Sequence, residues 1–353
     1  MGFKRDIFPV FMVIIFLILA RQIYPYAGVM DPRIVEEYRG QFQIETLTNG
    51  LGGPTCLEFW NETHLLVCDR DGGRILILDA DYNSEIWLDG LNYPHGLLIH
   101  ENQLFISEKG SLDRWDMNGL ELSNHTVLIE GIKPGNHQTN AINILPNGTL
   151  IWHSGSTCNN CIEDDNRNGA LLWVNSSSGE HGIIASGVRN SFHGVWVEEI
   201  GYLFTDNGQD TLGGDFPNEE VNLLVEGADY GWLLESKEDP NPEGTEAPLA
   251  IWTPHSSLNA LALRPPNSEL PGGEYTVYGT VFGSWATVLP QGHQIVKIDF
   301  TQSDDGWQGV ATIFAEQVGT PLPITFGPEG DLYYATFDNG GALHKITAIP
   351  TIF

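Results

Sequence analysis

The run Pro94-His95-Gly96-Leu97-Leu98-Ile99, followed by Gln103-Leu104-Phe105-Ile106-Ser107 and then Leu112-Asp113-Arg114-Trp115, has the form of a polar loop, an apolar strand, a turn and two more strands. Short β-forming runs broken by Asn, Asp and Gly turns read as antiparallel hairpins. The same form recurs on both sides. Upstream lie segments 54–59, 64–68 and 74–78; downstream come 139–145, 149–153 and 170–174, then 193–197, 202–205 and 220–224. A fifth unit spans 258–263, 275–281 and 294–298, and a sixth 323–326, 331–336 and 342–346. Each unit is too small to bury both faces of its own sheet, so the units must stack on one another. Blades arranged around an axis are the closed solution, and the chain is read as all-β, a six-bladed β-propeller. The sixth unit has three clear strands, whereas segment 42–47 at the other end has no hairpin partner. Pairing the two closes the ring and removes an exposed edge.

Aligning the units also aligns their polar loops. The loops that lead into the first strand carry His95 in the second unit, His137 and Gln138 in the third, Arg189, Asn190 and His193 in the fourth, and His255 in the fifth. In a propeller such loops surround one mouth of the axial channel. The reading therefore places these side chains around a common cavity.

Composition agrees with the fold class and narrows the partners. With 40 Gly and 20 Pro among 353 residues, and no amphipathic helical run of three turns, the chain favours short strands and tight turns. The formal net charge of −30, from 46 acids against 16 Lys and Arg, argues against nucleic acid as a partner. At the N-terminus, Lys4-Arg5 precedes the apolar stretch 7–20, which Arg21 follows. That stretch resembles a secretory h-region and falls short of the roughly 20 residues of a bilayer span. Residues 1–28 are read as a signal peptide or membrane anchor, 29–41 as a linker, and 42–350 as the propeller. The expected location is extracytoplasmic: periplasmic, secreted or anchored on the outer face of a membrane. Cys56 and Cys68 lie six residues either side of Glu62, so a hairpin centred there sets them opposite one another and predicts a disulfide. Cys158-x-x-Cys161 is a second bridge, half of a zinc site or a redox pair. Asn61, Asn124, Asn147 and Asn175 each begin an Asn-x-Ser/Thr sequon.

The motifs Gly135-Asn136-His137, Gly155-Ser156-Thr157-Cys158-Asn159-Asn160-Cys161, Gly187-Val188-Arg189-Asn190, Asp206-Asn207-Gly208-Gln209-Asp210, Pro217-Asn218-Glu219-Glu220-Val221-Asn222, Tyr230-Gly231-Trp232 and Gly283-Ser284-Trp285 stand in that order. Together, over about residues 45–348, they resemble the glucose/sorbosone dehydrogenase family, whose members are similar to soluble sugar dehydrogenases that use pyrroloquinoline quinone (PQQ) and calcium. The resemblance implies an extracytoplasmic quinoprotein that oxidises an aldose or a sorbosone-like aldehyde and passes electrons to an external acceptor. It implies that His137 is the general base and that Arg189 holds the quinone oxygen that gains negative charge. His95, Gln138, Asn190, His255 and Trp285 are the further cofactor-binding residues by the same reading. The carbonyls of Gly208 and Gln209 map onto the loop that holds a cofactor-bridging Ca2+, to which Asp206 and Asp210 could add carboxylates; Asp-Asn-Gly is also a strong hairpin turn by itself. The Asn-Arg pair of sorbosone-type relatives after Gly-Ser-Trp is Ala286-Thr287 here, which leaves Arg189, Lys109 and Lys133 as the cations near the loops. The alternative reading is a propeller that has lost the quinone and serves as a binding module.

Overall fold

The computed structural model describes residues 12–17, 31–284 and 291–350. The greater part of the leader read as a signal peptide or anchor, and Trp285 with Ala286 and Thr287, lie outside the described residues. Residues 12–17 are helical and exposed. No described helix is long and apolar enough to cross a membrane.

Six antiparallel sheets form the body. Blade 1 is Pro54–Asn61, His64–Asp69, Arg74–Leu78 and Ser84–Asp89. Blade 2 is Gly96–His100, Gln103–Glu108, Ser111–Asn118 and Glu121–Ile129, and blade 3 is Thr139–Ile144, Leu150–Ser154, Ala170–Val174 and His181–Ser186. Blade 4 comprises Gly194–Val197, Gly201–Asp206, Glu219–Leu223 and Ala250–Trp252. Blade 5 comprises Leu258–Leu263, Thr276–Val281, Gln294–Ser303 and Gly306–Glu316, with Arg33–Ile34 added at its outer edge against Glu316 and Ala315. Blade 6 takes Pro321–Phe326, Leu332–Thr336 and Ala342–Ala348 from the end of the chain and Phe42–Asn49 from its beginning. The first strands of successive blades touch one another around the axis, and the sixth returns to the first. The architecture is the six-bladed propeller expected, closed by the N-terminal strand. The segment read as a linker is not all coil, because Arg33–Ile34 joins a sheet and Glu36–Tyr38 forms a 3-10 turn.

The second strand of each blade carries the core. His64–Asp69, Gln103–Glu108, Leu150–Ser154 and Gly201–Asp206 are buried along almost their whole length, because both faces meet neighbouring blades. Such strands lose the alternation of a half-exposed sheet and become continuous apolar runs. Between blades these runs interdigitate: Leu66 and Ile75 of blade 1 pack with Leu97, Leu104 and Ile106 of blade 2. Outer strands such as Ser84–Asp89 and Glu121–Ile129 are largely solvent-facing and correspondingly polar.

Both cysteine pairs are bridged. Cys56 faces Cys68 across the first hairpin, with Cα atoms 5.0 Å apart, and Cys158 is joined to Cys161. The zinc reading of Cys158 and Cys161 therefore gives way to the disulfide.

Antiparallel order within a blade puts the loops before the first strand and between the second and third strands on one face. Loops of those two kinds from all six blades meet at that mouth.

Candidate active site at the propeller mouth

A cavity of about 560 Å3 opens at this mouth. His95, His137, Gln138, Arg189, Asn190, Gly208 and His255 all line it, though they come from four blades. His193 does not. It lines a smaller space farther down the axis, together with His95 and Glu58. Lys109 and Lys133 are also elsewhere: Lys109 Nζ stands 5.0 Å from the Tyr93 ring and Lys133 pairs with Asp164 at 3.7 Å.

His137 is held by two loops pressed together. Asn136 N and His137 N donate to Thr157 O (2.8 Å) and Ser156 O (3.1 Å). The approach is so close that a Cβ on Gly135 would lie 2.1 Å from Thr157 O, and one on Gly155 would lie 2.6 Å from His137 Cβ. Only glycine permits this. Ser156 Oγ donates its single proton to Cys158 O at 2.7 Å, so at its 2.8 Å contact with His137 Nδ1 it must accept. His137 is thereby fixed as the Nδ1–H tautomer, which leaves Nε2 as a lone-pair acceptor. Burial first, and the nearby Arg189 second, depress its pKa to about 3, so the ring is neutral around pH 7.

Arg189 is pre-set just as firmly. Its main-chain N–H and that of Asn190 donate to the two oxygens of Asp206, at 3.0 and 2.7 Å. The guanidinium donates to Asn159 Oδ1 (3.1 Å), Asn207 O (3.1 Å) and Asp210 Oδ2 (2.7 Å). Asp210 Oδ1 in turn lies 3.7 Å from His255 Nδ1, while His255 Nε2–H donates to Gly213 O at 2.6 Å. His95 donates from Nδ1 to Tyr93 O (3.2 Å) and accepts from Gln138 Nε2 at its Nε2 (2.8 Å). Burial lowers its pKa to about 3. Asn190 Oδ1 accepts from Asn140 Nδ2 at 3.2 Å.

The geometry adds residues that sequence reasoning missed. Arg70, in the loop between the second and third strands of blade 1, lines the cavity with its guanidinium 4.4 Å from the centroid of Phe337. Phe337 and Phe282 bring rings with centroids 6.2 Å apart, and Phe192 adds a third. Arg70 was hidden because the alignment of histidine-bearing loops drew attention to the other kind of loop at the mouth. Its one signal was the turn Asp69-Arg70-Asp71-Gly72-Gly73 directly after an apolar strand.

Not every residue named for calcium reaches the cavity. Asp206 and Gln209 are outside its lining. Asp206 spends its carboxylate on the Arg189 loop, and Gln209 Oε1 accepts from Asn160 Nδ2. Asp206 instead borders a small adjoining pocket with Gly208, Glu220 and Glu235. Burial pushes Asp206 and Glu235 up to about 7 and Glu220 up to about 8. Glu219, which does line the main cavity, is likewise pushed up to about 8.

No family model matches the chain. An uncharacterised protein of Borreliella burgdorferi is 25% identical over 222 residues, and the match covers 57% of each chain, so the chain spans little more than half of that relative. Among solved structures, the holo PQQ domain of a pyranose dehydrogenase from Coprinopsis cinerea superposes with a TM-score of 0.75 at 16% identity, over 90% of this chain and 97% of that one. A calcium structure of a Trichoderma reesei carbohydrate-active enzyme of family AA12 gives 0.72 at 16% identity, over 90% and 97%. The PQQ-bound aldose sugar dehydrogenase of Streptomyces coelicolor gives 0.68 at 16% identity, over 90% and 100%. The resemblance drawn from the motifs and the likeness in shape thus point the same way. At this level of identity, what the chain shares with these solved structures is the propeller fold.

Proposed function

We propose that the protein is an extracytoplasmic quinoprotein dehydrogenase that oxidises an aldose or sugar aldehyde and delivers the electrons to an external acceptor. The observation that supports this most is the pairing, in one cavity, of a tautomer-locked neutral imidazole at His137 with a permanent cation at Arg189.

The residues present fit PQQ, a planar aromatic tricarboxylate. Arg70 and Arg189 supply cations from opposite sides of the six-fold ring, since blades 1 and 4 face each other across the axis. Phe192, Phe282 and Phe337 supply apolar surface, and Gln138, Asn190, His95 and His255 supply polar contacts. Arg70 offsets the loss of the arginine expected after Trp285. When bound, PQQ supplies hydride acceptance.

The chain's own residues do the rest. His137 Nε2 takes the proton of the sugar hydroxyl as the C–H bond is broken. A pKa of about 3 makes this imidazole a weak base, and an anionic ligand beside it would raise that value by offsetting the positive field of Arg189, the smaller of its two causes. Arg189 stabilises negative charge where it develops, and Asn159, Asn207 and Asp210 hold the guanidinium so that little reorganisation is needed.

The direct test is to add PQQ and Ca2+ to purified protein and follow dye reduction with a panel of aldoses, while measuring quinone uptake by fluorescence quenching. We expect His137→Ala to abolish turnover and retain uptake, and Arg189→Ala to weaken both. Full activity in the His137 variant would remove that residue from the mechanism. Failure of the wild type to take up quinone would favour the reading as a binding module.

A further inference from the structure

The disulfide between Cys158 and Cys161 takes no part in the chemistry proposed above, yet the four residues it closes touch both of the side chains that do. Cys158 O accepts from Ser156 Oγ at 2.7 Å, and this bond turns the Ser156 proton away from His137 Nδ1, which lies 2.8 Å from the same oxygen. Were the carbonyl to move off, the hydroxyl could rotate and donate to Nδ1. The imidazole proton would then pass to Nε2, where a base needs its lone pair. Asn159, the next residue, lines the cavity; its Oδ1 accepts from Arg189 Nε (3.1 Å) and Asp210 N (3.0 Å), and its carbonyl accepts from Trp232 Nε1 (3.3 Å).

A disulfide stabilises a fold chiefly by restricting the unfolded chain, and the effect grows with the loop it closes. The cysteines are 12 positions apart in Cys56–Cys68 and 3 apart in Cys158–Cys161. The second bridge therefore adds less to global stability and acts mainly on local conformation. It is half-buried and stands next to Ile162, which is 89% exposed, so a small dithiol can reach it. The Glu163 carboxylate lies within 4.8 Å of both sulfurs and disfavours thiolates there, which favours the oxidised pair.

We infer that the Cys158–Cys161 disulfide is a positioning element of the active site. Oxidised, it keeps Cys158 O and Asn159 where they set the His137 tautomer and the Arg189 guanidinium; reduced, it lets both go and turnover falls. Reduction is an exchange with a dithiol, whose two sulfurs in turn displace Cys161 and Cys158. The dithiol closes into a cyclic disulfide, and its two electrons and two protons end on the cysteines. Turnover enters through the dehydrogenase reading above, and in that respect the inference rests on it.

The test uses the full chain with Cys56→Ala and Cys68→Ala, so that one disulfide remains, and a quadruple variant that adds Cys158→Ala and Cys161→Ala. First, without quinone, histidine labelled at its ring nitrogens is followed by NMR, with His137→Ala assigning the signal. The oxidised protein should show His137 as the Nδ1–H tautomer, and dithiothreitol should bring in the Nε2–H form, reversibly on reoxidation. Second, the reduced protein is desalted without oxygen and supplied with PQQ, Ca2+ and an aldose. Here kcat should be about ten-fold lower, with KM and quinone uptake changed by less than about two-fold, and should recover on reoxidation. The quadruple variant should match the reduced form; if it folds poorly, reduction of the folded parent still gives the comparison. A His137 spectrum that reduction leaves unchanged would overturn the inference whether or not quinone binds, and so would an undiminished kcat. Parallel loss of kcat, quinone uptake and melting temperature would also overturn it, by assigning the bridge to folding. Failure to take up quinone removes the redox reading, while the spectrum still decides what the bridge does.

Discussion

Ser156→Ala removes the acceptor for His137 Nδ1 and leaves the main-chain bond from His137 N to Ser156 O in place. The imidazole then loses its reason to keep the proton on Nδ1. We expect kcat to fall by about ten-fold, part of the 10²–10⁴ that a well-placed base supplies, with quinone affinity unchanged. Stopped-flow reduction alongside a fluorescence titration checks this; an equal loss in both would assign Ser156 to loop folding instead. Much at this scale was legible beforehand. His95, His137, Arg189 and His255 share a rim because loop position in a repeat determines location. Hydrogen-bond bookkeeping was not legible. That Asp206 braces a main chain, while Asn207 and Glu219 keep an oxygen unpaired, depends on which donors lie within about 3 Å, and no pattern in the sequence encodes that.

At the level of strands and hairpins, the Cys56–Cys68 bridge closes a short loop in blade 1. Removing both sulfurs (Cys56→Ala with Cys68→Ala) should cost about 2–3 kcal/mol, measured by urea unfolding, with the quinone site intact. Deleting residues 31–49 should do something different in kind. It exposes the edge of Ala342–Ala348, and the product is expected to self-associate in size-exclusion chromatography. The first three strands of each unit could be read from the sequence because burial on both faces writes an apolar run. Fourth strands could not. Ser84–Asp89 and Glu121–Ile129 face solvent, and Ala250–Trp252 is three residues long and follows an excursion through Tyr230 and Trp232. Their sequences carry little apolar signal.

For the molecule as a whole, two sets of buried groups pull stability in opposite directions. Burial lowers His95 and His137 to about 3 and His193 and His344 to about 4. Between those values and about 6.5 the unfolded chain binds more protons, so this set makes stability rise with pH. Glu58, Asp206, Glu219, Glu220 and Glu235 are raised to about 7 or 8, again chiefly by burial. Their contribution is complete below the unfolded carboxylate range near 4.5 and is lost as pH climbs through 7 and 8. Above about 6.5 the histidine contribution is level and the acids alone act. The melting temperature of EDTA-treated protein should therefore decline from pH 6.5 to 8.5. Glu58→Gln should reduce the decline. A flat profile in differential scanning calorimetry would contradict the assignment.

Phe42–Asn49 waits for Ala342–Ala348, a partner about 300 residues further on. At roughly 5–20 residues per second, a ribosome needs about 15–60 s to make the intervening chain. During that interval the five contiguous blades can assemble while the sixth still lacks Ala342–Ala348, the strand on which Phe42–Asn49 pairs. Completion of the mouth is therefore a late event in biosynthesis, and a nascent chain stalled before residue 342 would present a gap that holdase chaperones could recognise.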